Sequence, residues 1–330
     1  MTQVPLTPPT PVDIVRAAER LKGVAVRTPL LRSDVLDAKL DARVFVKAEC
    51  LQRTGSFKFR GAYNRISCLD EDERRRGVLA YSSGNHAQGV AAAARLSGTT
   101  AKILMPLDAP RSKVEGVEFW GGEVIGYDRS TQNREAMGRE LAEREGRVLV
   151  PPYEDPYIIA GQGTAGLEMV EQFAEFGETP DLVVCCAGGG GLIAGVGLAV
   201  KEACPAAQIW AAEPNGFDDH RRSLISGQRE RNAQLAGSFC DAILTPEPGE
   251  LTWSLNSRQM SGGVTVSDAE VAEAMRFAWS HLKIVGEPGG TAAFAAVLAN
   301  KLDLRGKTVG VLITGGNVDA AVFERVLAGR

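Results

Sequence analysis

The segment DLVVCCAGGGGLIAGVGLAVKEA, residues 181–203, constrains the fold more than any other part of the chain. An apolar strand pattern runs straight into four glycines and then into an apolar helix pattern. A strand that feeds a helix through so tight a turn is half of a strand–helix–strand unit, which lays its two strands parallel. The same order recurs along the chain. VLAYSS (78–83) precedes the helix pattern GNHAQGVAAAARLSG, AKILMP precedes SKVEGVEFWG, and EVIGY precedes NREAMGRELAEREG. RVLVPP precedes a helix over 164–176, and QIWAAEP (208–214) and TVGVLITGGN supply further strands. ARVFVKAE (42–49) reads as a strand between helices at Val12–Lys22 and Gly61–Leu69, and SDAEVAEAMRFAWSHL and TAAFAAVLANKL read as helices near the end. Such alternation predicts the α/β class, with parallel sheets and helices on both faces. The run from 78 to 150 is compact enough to stand as its own lobe.

Composition narrows what such a chain can do. The formal net charge of −4 gives no electrostatic case for nucleic acid or an anionic membrane. No apolar run approaches the ~18 residues of a membrane span. The start, MTQVPLTPPTPVD, has no basic region followed by an apolar core, and reads as an extended lead-in rather than a secretory signal. Six cysteines include no C-x-x-C pair, so they read as small buried hydrophobes of a reducing, cytoplasmic setting. Cys185 and Cys186 are adjacent in a strand pattern, so they must point to opposite faces. Three histidines exclude a His-rich metal site.

Four segments carry chemistry. In CCAGGGGLIAG (185–195) the N–H groups of Gly188, Gly189, Gly190 and Gly191 have no Cβ in their way and can wrap a phosphate, helped by the helix dipole. The alternative is a flexible turn; a P-loop is excluded, because no GK[ST] follows. SSGNHAQG (82–89) follows a strand and opens a helix, so it can hold a carboxylate or merely cap the helix. TGGN (314–317) places the Thr314 hydroxyl at the carboxyl end of the last strand, where α/β sites lie, or forms a plain turn. GSFKFRG (55–61) holds Lys58, either solvated at a helix start or placed to bind an aldehyde covalently. GQGTAG (161–166) matches the dinucleotide fingerprint G-x-G-x-x-G, which would predict nicotinamide binding. No ribose-binding acid follows it at the end of a next strand, so it reads as a tightly packed loop leading into a helix.

Taken in this order, the lysine after Gly-Ser, the Asn-containing loop, the tetraglycine and the final Thr-Gly-Gly-Asn resemble the fold-type II pyridoxal-phosphate enzymes. Within them the chain is most similar to the serine/threonine dehydratase and serine racemase group. The resemblance runs from about Val12 to the C-terminus through LQRTGSFKFRGA, SSGNHAQGVA, IAGQGTAGLE, GGGGLIAG, KIVGEPGG and ITGGN. It implies a two-lobe, tryptophan synthase beta-like fold, with a large cofactor-binding domain (1–72 and 151–330) and a small mobile domain (73–150). It implies pyridoxal 5'-phosphate held on Lys58 as a Schiff base, with Lys58 then acting as a base. Phe57 would flank the ring, Asn85 would meet the ring hydroxyl, Gly188 to Gly191 would bind the phosphate, and Thr314 would pair with the ring nitrogen in place of the usual Ser. Ser82, Ser83, Asn85 and His86 would hold the substrate.

Further roles follow from the same resemblance. A hydroxyl at Ser83 stands where many threonine dehydratases have Ala, and would carry a proton on the face opposite Lys58, or simply pack under the ring. Arg134 would reach a second substrate carboxylate, or lie on the surface. Tyr153 takes a position that tends to be Phe in threonine dehydratases. Glu213, the carbonyl of Phe217 and Asp219 match a site for Mg²⁺ or another divalent cation, or form an acidic surface loop. The implied reaction is β-elimination of water from a hydroxy amino acid, giving a 2-oxo acid and ammonia. L-serine and L-threonine are the default substrates, and 3-hydroxyaspartate dehydration or serine racemisation is the alternative. A homodimer is implied, as is the absence of feedback control by isoleucine. A carrier of the cofactor without catalysis is the rival reading, and loss of the lysine or the glycines would have been its mark.

Overall fold

The computed structural model describes residues 7–329, so the first six residues of the proline-rich lead-in lie outside the described residues. Among the described residues, ten strands fall into two sheets. The first is β1 (Leu30–Leu31), β2 (Arg43–Ala48), β7 (Leu182–Cys186), β8 (Gln208–Pro214), β9 (Gly262–Val266) and β10 (Thr308–Ile313), in the order β1-β2-β10-β7-β8-β9. Only the two-residue edge strand β1 runs antiparallel; every other pair in it is parallel. The second sheet is β3 (Val78–Tyr81), β4 (Ala101–Pro106), β5 (Glu123–Tyr127) and β6 (Val148–Leu149), all parallel, in the order β5-β4-β3-β6.

Fourteen α-helices connect the described strands: α1 (Pro11–Leu21), α2 (Asp34–Leu40), α3 (Lys58–Ser67), α4 (Glu71–Arg76), α5 (Asn85–Leu96), α6 (Arg111–Phe119), α7 (Arg134–Glu145), α8 (Pro156–Glu175), α9 (Gly191–Ala203), α10 (Asp219–Ser226), α11 (Glu250–Gln259), α12 (Asp268–Phe277), α13 (Pro288–Leu298) and α14 (Ala320–Leu327). Among the described residues no helix is long and apolar enough to cross a membrane.

The larger sheet is covered on both faces, which is why its central strands are apolar along their whole length. On one face Val44, Val46, Val184 and Cys186 pack with Phe294 and Met275. On the other, Phe45, Val183 and Cys185 pack with Phe173 and Ile193. The two adjacent cysteines therefore do point to opposite faces. Phe45 is fully buried, with its ring centroid 4.7 Å from that of Phe173. The apolar cluster under the smaller sheet joins Val78, Ala80 and Ile103 to Phe59, Ala62 and Ile66 of α3 and Ile158 of α8. Strand pairing and side-chain packing thus divide the chain at different places.

Three sequence expectations are corrected. The helix expected from Gly61 begins at Lys58. Gly61 reads as a boundary but sits inside α3, because a Cβ there would lie 2.8 Å from the Ile158 carbonyl of α8. The helix expected over 164–176 begins at Pro156, where the Asp155 carboxylate caps it by accepting from the N–H groups of Tyr157 and Ile158. GQGTAG therefore lies within a helix, not in a loop before one. There a Cβ on Gly161 would come 2.6 Å from the Cα of Gly61, so these glycines set the distance between α8 and α3. Strand β9 and helices α10 and α11 carry too little regular patterning to have been expected.

Candidate active site

Parallel strands end on one edge, and the chemistry-bearing segments sit at those ends. β3 leads into Ser82–Asn85, β7 into Gly188–Gly191, and β10 into Thr314–Asn317. The lysine segment is stitched to the last of these. Phe57 N–H donates to the Thr314 carbonyl at 3.0 Å, and Gly316 N–H to the Gly55 carbonyl at 2.9 Å. Ser56 also forms a bridge with Gly315. One cavity between the two sheets is lined by Phe57, Lys58, Ser82, Ser83, Asn85, His86, Arg134, Tyr153, Gly188 to Gly191 and Thr314. All the expected cofactor and substrate residues are brought together.

Lys58 points into this cavity and donates from Nζ to the Pro152 carbonyl at 2.9 Å. Burial lowers its pKa from the ordinary 10.5 to about 8, so a minority of it, yet far more than of a free lysine, is the neutral amine near physiological pH. Its ammonium lies 5.2 Å from the centroid of the Phe57 ring. Asn85 opens α5, and its side chain spans the cleft. It donates from Nδ2 to Glu287 and accepts at Oδ1 from Asn317 Nδ2 at 2.7 Å. An amide nitrogen carries two protons, so one remains for a ligand. Burial raises the Glu287 carboxyl to about 7, and the Asn85 amide opposes the shift.

The glycine cradle is built by its carbonyls. The Gly188 carbonyl accepts from His220 Nε2 at 2.8 Å, that of Gly189 from Thr252 Oγ1 at 2.6 Å, and that of Gly190 from Asn256 Nδ2 at 3.2 Å. With the carbonyls tied back, the N–H groups at the head of α9 are left for an anion. Gly190 caps α9 with φ +90°, and a Cβ there would strike the His220 ring at 2.6 Å. His220, Thr252 and Asn256 were missed by sequence reasoning. They come from α10 and α11, far along the chain, and no motif ties them to the glycines.

His86 is buried and holds the Val150 carbonyl through Nε2 at 2.9 Å. A carbonyl only accepts, so the proton is on Nε2, and Nδ1 is a buried acceptor without a partner. Burial, with Lys58 nearby, pushes its pKa down to about 3, so the ring is neutral. Arg134 opens α7, exposed at the cavity mouth, with its guanidinium carbon 5.9 Å from the Tyr81 ring centroid. Among the described residues it makes no ion pair. Lys113 of α6 and Asp241, both lining the cavity, pair at 3.2 Å, and the neighbouring Ser112 donates to Asp319 at 2.9 Å.

A half-buried, part-neutral lysine, an N–H cradle, an amide and a hydroxyl around one cavity suit a phosphorylated aldehyde cofactor. The sequence comparisons agree with that chemistry, since the pyridoxal-phosphate dependent enzyme family matches residues 21–315. This chain belongs to the pyridoxal-phosphate dependent enzymes. It is 44% identical to the L-threo-3-hydroxyaspartate ammonia-lyase of Pseudomonas sp over 96% of this chain and 98% of that one. It is 40% identical to the serine racemase of Schizosaccharomyces pombe, over 97% and 98% of the two chains. Among solved structures, a serine racemase from maize aligns with a TM-score of 0.91 and 35% identity, covering 98% of this chain and 98% of that one. The chain is an enzyme of the ammonia-lyase type, with a fold-type II architecture.

The expected cation residues lie elsewhere. Glu213 is at the end of β8, fully buried, and accepts from the N–H groups of His220 and Arg221 at 2.8 and 2.9 Å. Asp219 accepts from Asn232 through Oδ1 at 2.7 Å, while its Oδ2 is buried with no partner. Burial, then the neighbouring Asp219, pushes the Glu213 carboxyl well above the carboxylate range, and burial takes Asp219 to about 7. Among the described residues no group of three or more His, Cys, Asp or Glu side chains gathers as a metal site. Two buried carboxyls with one orphaned oxygen would suit a hard cation.

Proposed function

We propose that this enzyme eliminates water from a hydroxy amino acid that carries a second carboxylate, 3-hydroxyaspartate, and that water then hydrolyses the released enamine, through its imine, to a 2-oxo acid and ammonia. The observation that carries this choice is Arg134, a guanidinium at the cavity with no ion pair among the described residues. A cation left without an anion beside a substrate cavity suits an acidic side chain on the substrate. The relative at 44% identity is named for the same substrate class. L-serine and L-threonine are the second reading, because the rest of the cavity asks only for an amino acid.

Lys58 would hold pyridoxal phosphate, with Gly188 to Gly191 at its phosphate, Asn85 at its ring hydroxyl, Thr314 at its ring nitrogen and Phe57 against the ring. The bound cofactor supplies an electron sink that acidifies the hydrogen on the substrate Cα. Lys58 takes that proton, and its lowered pKa suits it to do so near neutral pH. Ser82, Ser83, Asn85 and the first N–H groups of α5, that of His86 among them, hold the substrate carboxylate. The His86 ring stays on the Val150 carbonyl and contributes no charge. Ser83 would handle a proton on the face away from Lys58, which opens racemisation as a side reaction. The 73–150 segment closes the cavity, and two copies of the chain associate. Glu213, the Phe217 carbonyl and Asp219 hold a divalent cation that supports the fold around His220 rather than the chemistry.

Ammonia release decides among these. The purified enzyme would be assayed with threo- and erythro-3-hydroxyaspartate, L-serine, D-serine and L-threonine, with Mg²⁺ or with chelator, and with Lys58→Ala as control. Preference for a hydroxyaspartate, lost selectively in Arg134→Ala, supports the proposal. Turnover of serine and threonine alone, indifferent to Arg134→Ala, returns the function to the second reading.

A further inference from the structure

A thiol stands behind the Thr314 hydroxyl. Cys186 ends β7 and Thr314 follows β10, its parallel neighbour. Their side chains meet, with Cys186 Sγ 3.4 Å from Thr314 Oγ1. Both residues line the cavity, and both are nearly buried, at 5% and 3% exposure. The Thr314 backbone is clamped, since its N–H donates to the Gly290 carbonyl at 2.9 Å and its carbonyl accepts from Phe57. A β-branched side chain on a clamped backbone has little χ1 freedom. What remains free is the rotation of its single hydroxyl proton, and Cys186 is its one side-chain partner among the described residues.

Two arrangements compete. If Thr314 donates to sulfur, the thiol proton is buried without an acceptor, and the threonine shows the cavity only lone pairs. If the thiol donates to Oγ1, both groups are paired and the threonine proton faces the cavity. Only the second arrangement leaves both groups paired and frees the stronger donor, the hydroxyl, for a ligand in the cavity. We propose that Cys186 is a positioning residue: its thiol donates to Thr314 Oγ1 and so turns the Thr314 hydroxyl proton toward the ring nitrogen of the cofactor. This rests on the reading that Thr314 meets that nitrogen. A ring nitrogen that receives a neutral donor stays unprotonated, which limits the electron sink and favours loss of a β-substituent over transamination.

The test uses the absorption spectrum of the cofactor-loaded enzyme and its pH dependence, with cofactor affinity measured alongside. The variants are Cys186→Ala, Cys186→Ser, Thr314→Val and the Cys186→Ala/Thr314→Val double variant. The spectrum and its pH midpoint shift in Cys186→Ala, and cofactor affinity falls about 2- to 10-fold, the worth of one neutral hydrogen bond. Cys186→Ser, which still has a proton to donate, restores both. In the Thr314→Val background Cys186→Ala adds nothing, because its effect runs through the lost hydroxyl. A wild-type spectrum in Cys186→Ala beside a shifted one in Thr314→Val overturns the inference alone. Additive effects in the double variant overturn it as well, by showing that the thiol acts on the cofactor directly. A wild-type spectrum in Thr314→Val overturns both the inference and the reading of Thr314.

Discussion

The protein holds two clusters of buried charge, and they are built on opposite principles. In the first, the Arg60 guanidinium is fully buried and grips Glu49 through Nε and Nη2, at 2.7 and 2.8 Å. It grips Glu168 through Nη1 and Nη2, at 2.7 and 2.8 Å. Lys47 adds bonds to Glu168, Gln172 and the Thr28 carbonyl, each at 2.8 Å. Two cations face two anions, and the donors are used. In the second, Glu213 and Asp219 bury two carboxyls with no cationic side chain hydrogen-bonded to either among the described residues, and one oxygen has no partner there. The first cluster is complete without help. The second is stable only if it binds protons or a cation, so an unbalanced buried charge is itself a pointer to a ligand.

The balanced cluster should break hardest when cut on one side. Arg60→Met leaves Glu49 and part of Glu168 buried without a counter-charge, and should cost about 3–5 kcal/mol in a urea titration. Its effect reaches the site as well, because Arg60 stands two residues beyond Lys58 in α3 and fixes how that helix is turned. The unbalanced cluster should respond instead to added ions. A divalent cation at about 100 times its Kd should stabilise the wild type by about 2.7 kcal/mol, and Glu213→Gln should abolish that gain. If chelator and cation give the same unfolding curve, the carboxyls are simply protonated.

Acid should separate the two clusters by sign. Asp219 rises from 3.8 in the unfolded chain to about 7, so its contribution is fully present below the lower value and lost as pH rises through the upper one. At Glu49 burial raises the pKa, but the charge and hydrogen bonds of Arg60, with Lys47 and the Thr28 hydroxyl, together outweigh it, and the net shift is down from 4.5. Its contribution is present above that value and lost as pH falls through the folded pKa. In chelator, Asp219→Asn should flatten the loss of stability toward neutral pH and leave the acid limb unchanged. Lys47→Met should give the smallest effect, about 1–3 kcal/mol, since Arg60 still holds Glu168. A cost matching that of Arg60→Met would show that the four charges act as one unit.

What the sequence disclosed follows the range over which its signals act. The alternation of strand and helix, the glycine cradle and the lysine are local patterns, and each stands at the strand end or helix head expected. Cys185 and Cys186 fell on opposite faces because the period of a strand leaves no choice. The groups that finish the site come from far along the chain. His220 reaches Gly188 across 32 residues and Asn256 reaches Gly190 across 66. Arg60 and Glu168 are 108 residues apart. No spacing rule joins such pairs, and helices α10 and α11 that deliver two of them have little periodic pattern. Gly61 and GQGTAG misled for a related reason, since glycine marks turns in local grammar but here marks contact between helices.

That contact has a consequence for how the chain can vary. Around Gly161 and Gly61 the backbones of α8 and α3 touch, and a Cβ on Gly163 would fall 2.9 Å from the Gly195 carbonyl of α9. A library of single substitutions should therefore find a barren stripe along 161–166, bordered by helix faces that accept change freely. Drift in this part of the protein would have to proceed through paired replacements on two helices, so the segment that most resembles a nucleotide fingerprint should be among the slowest to diverge.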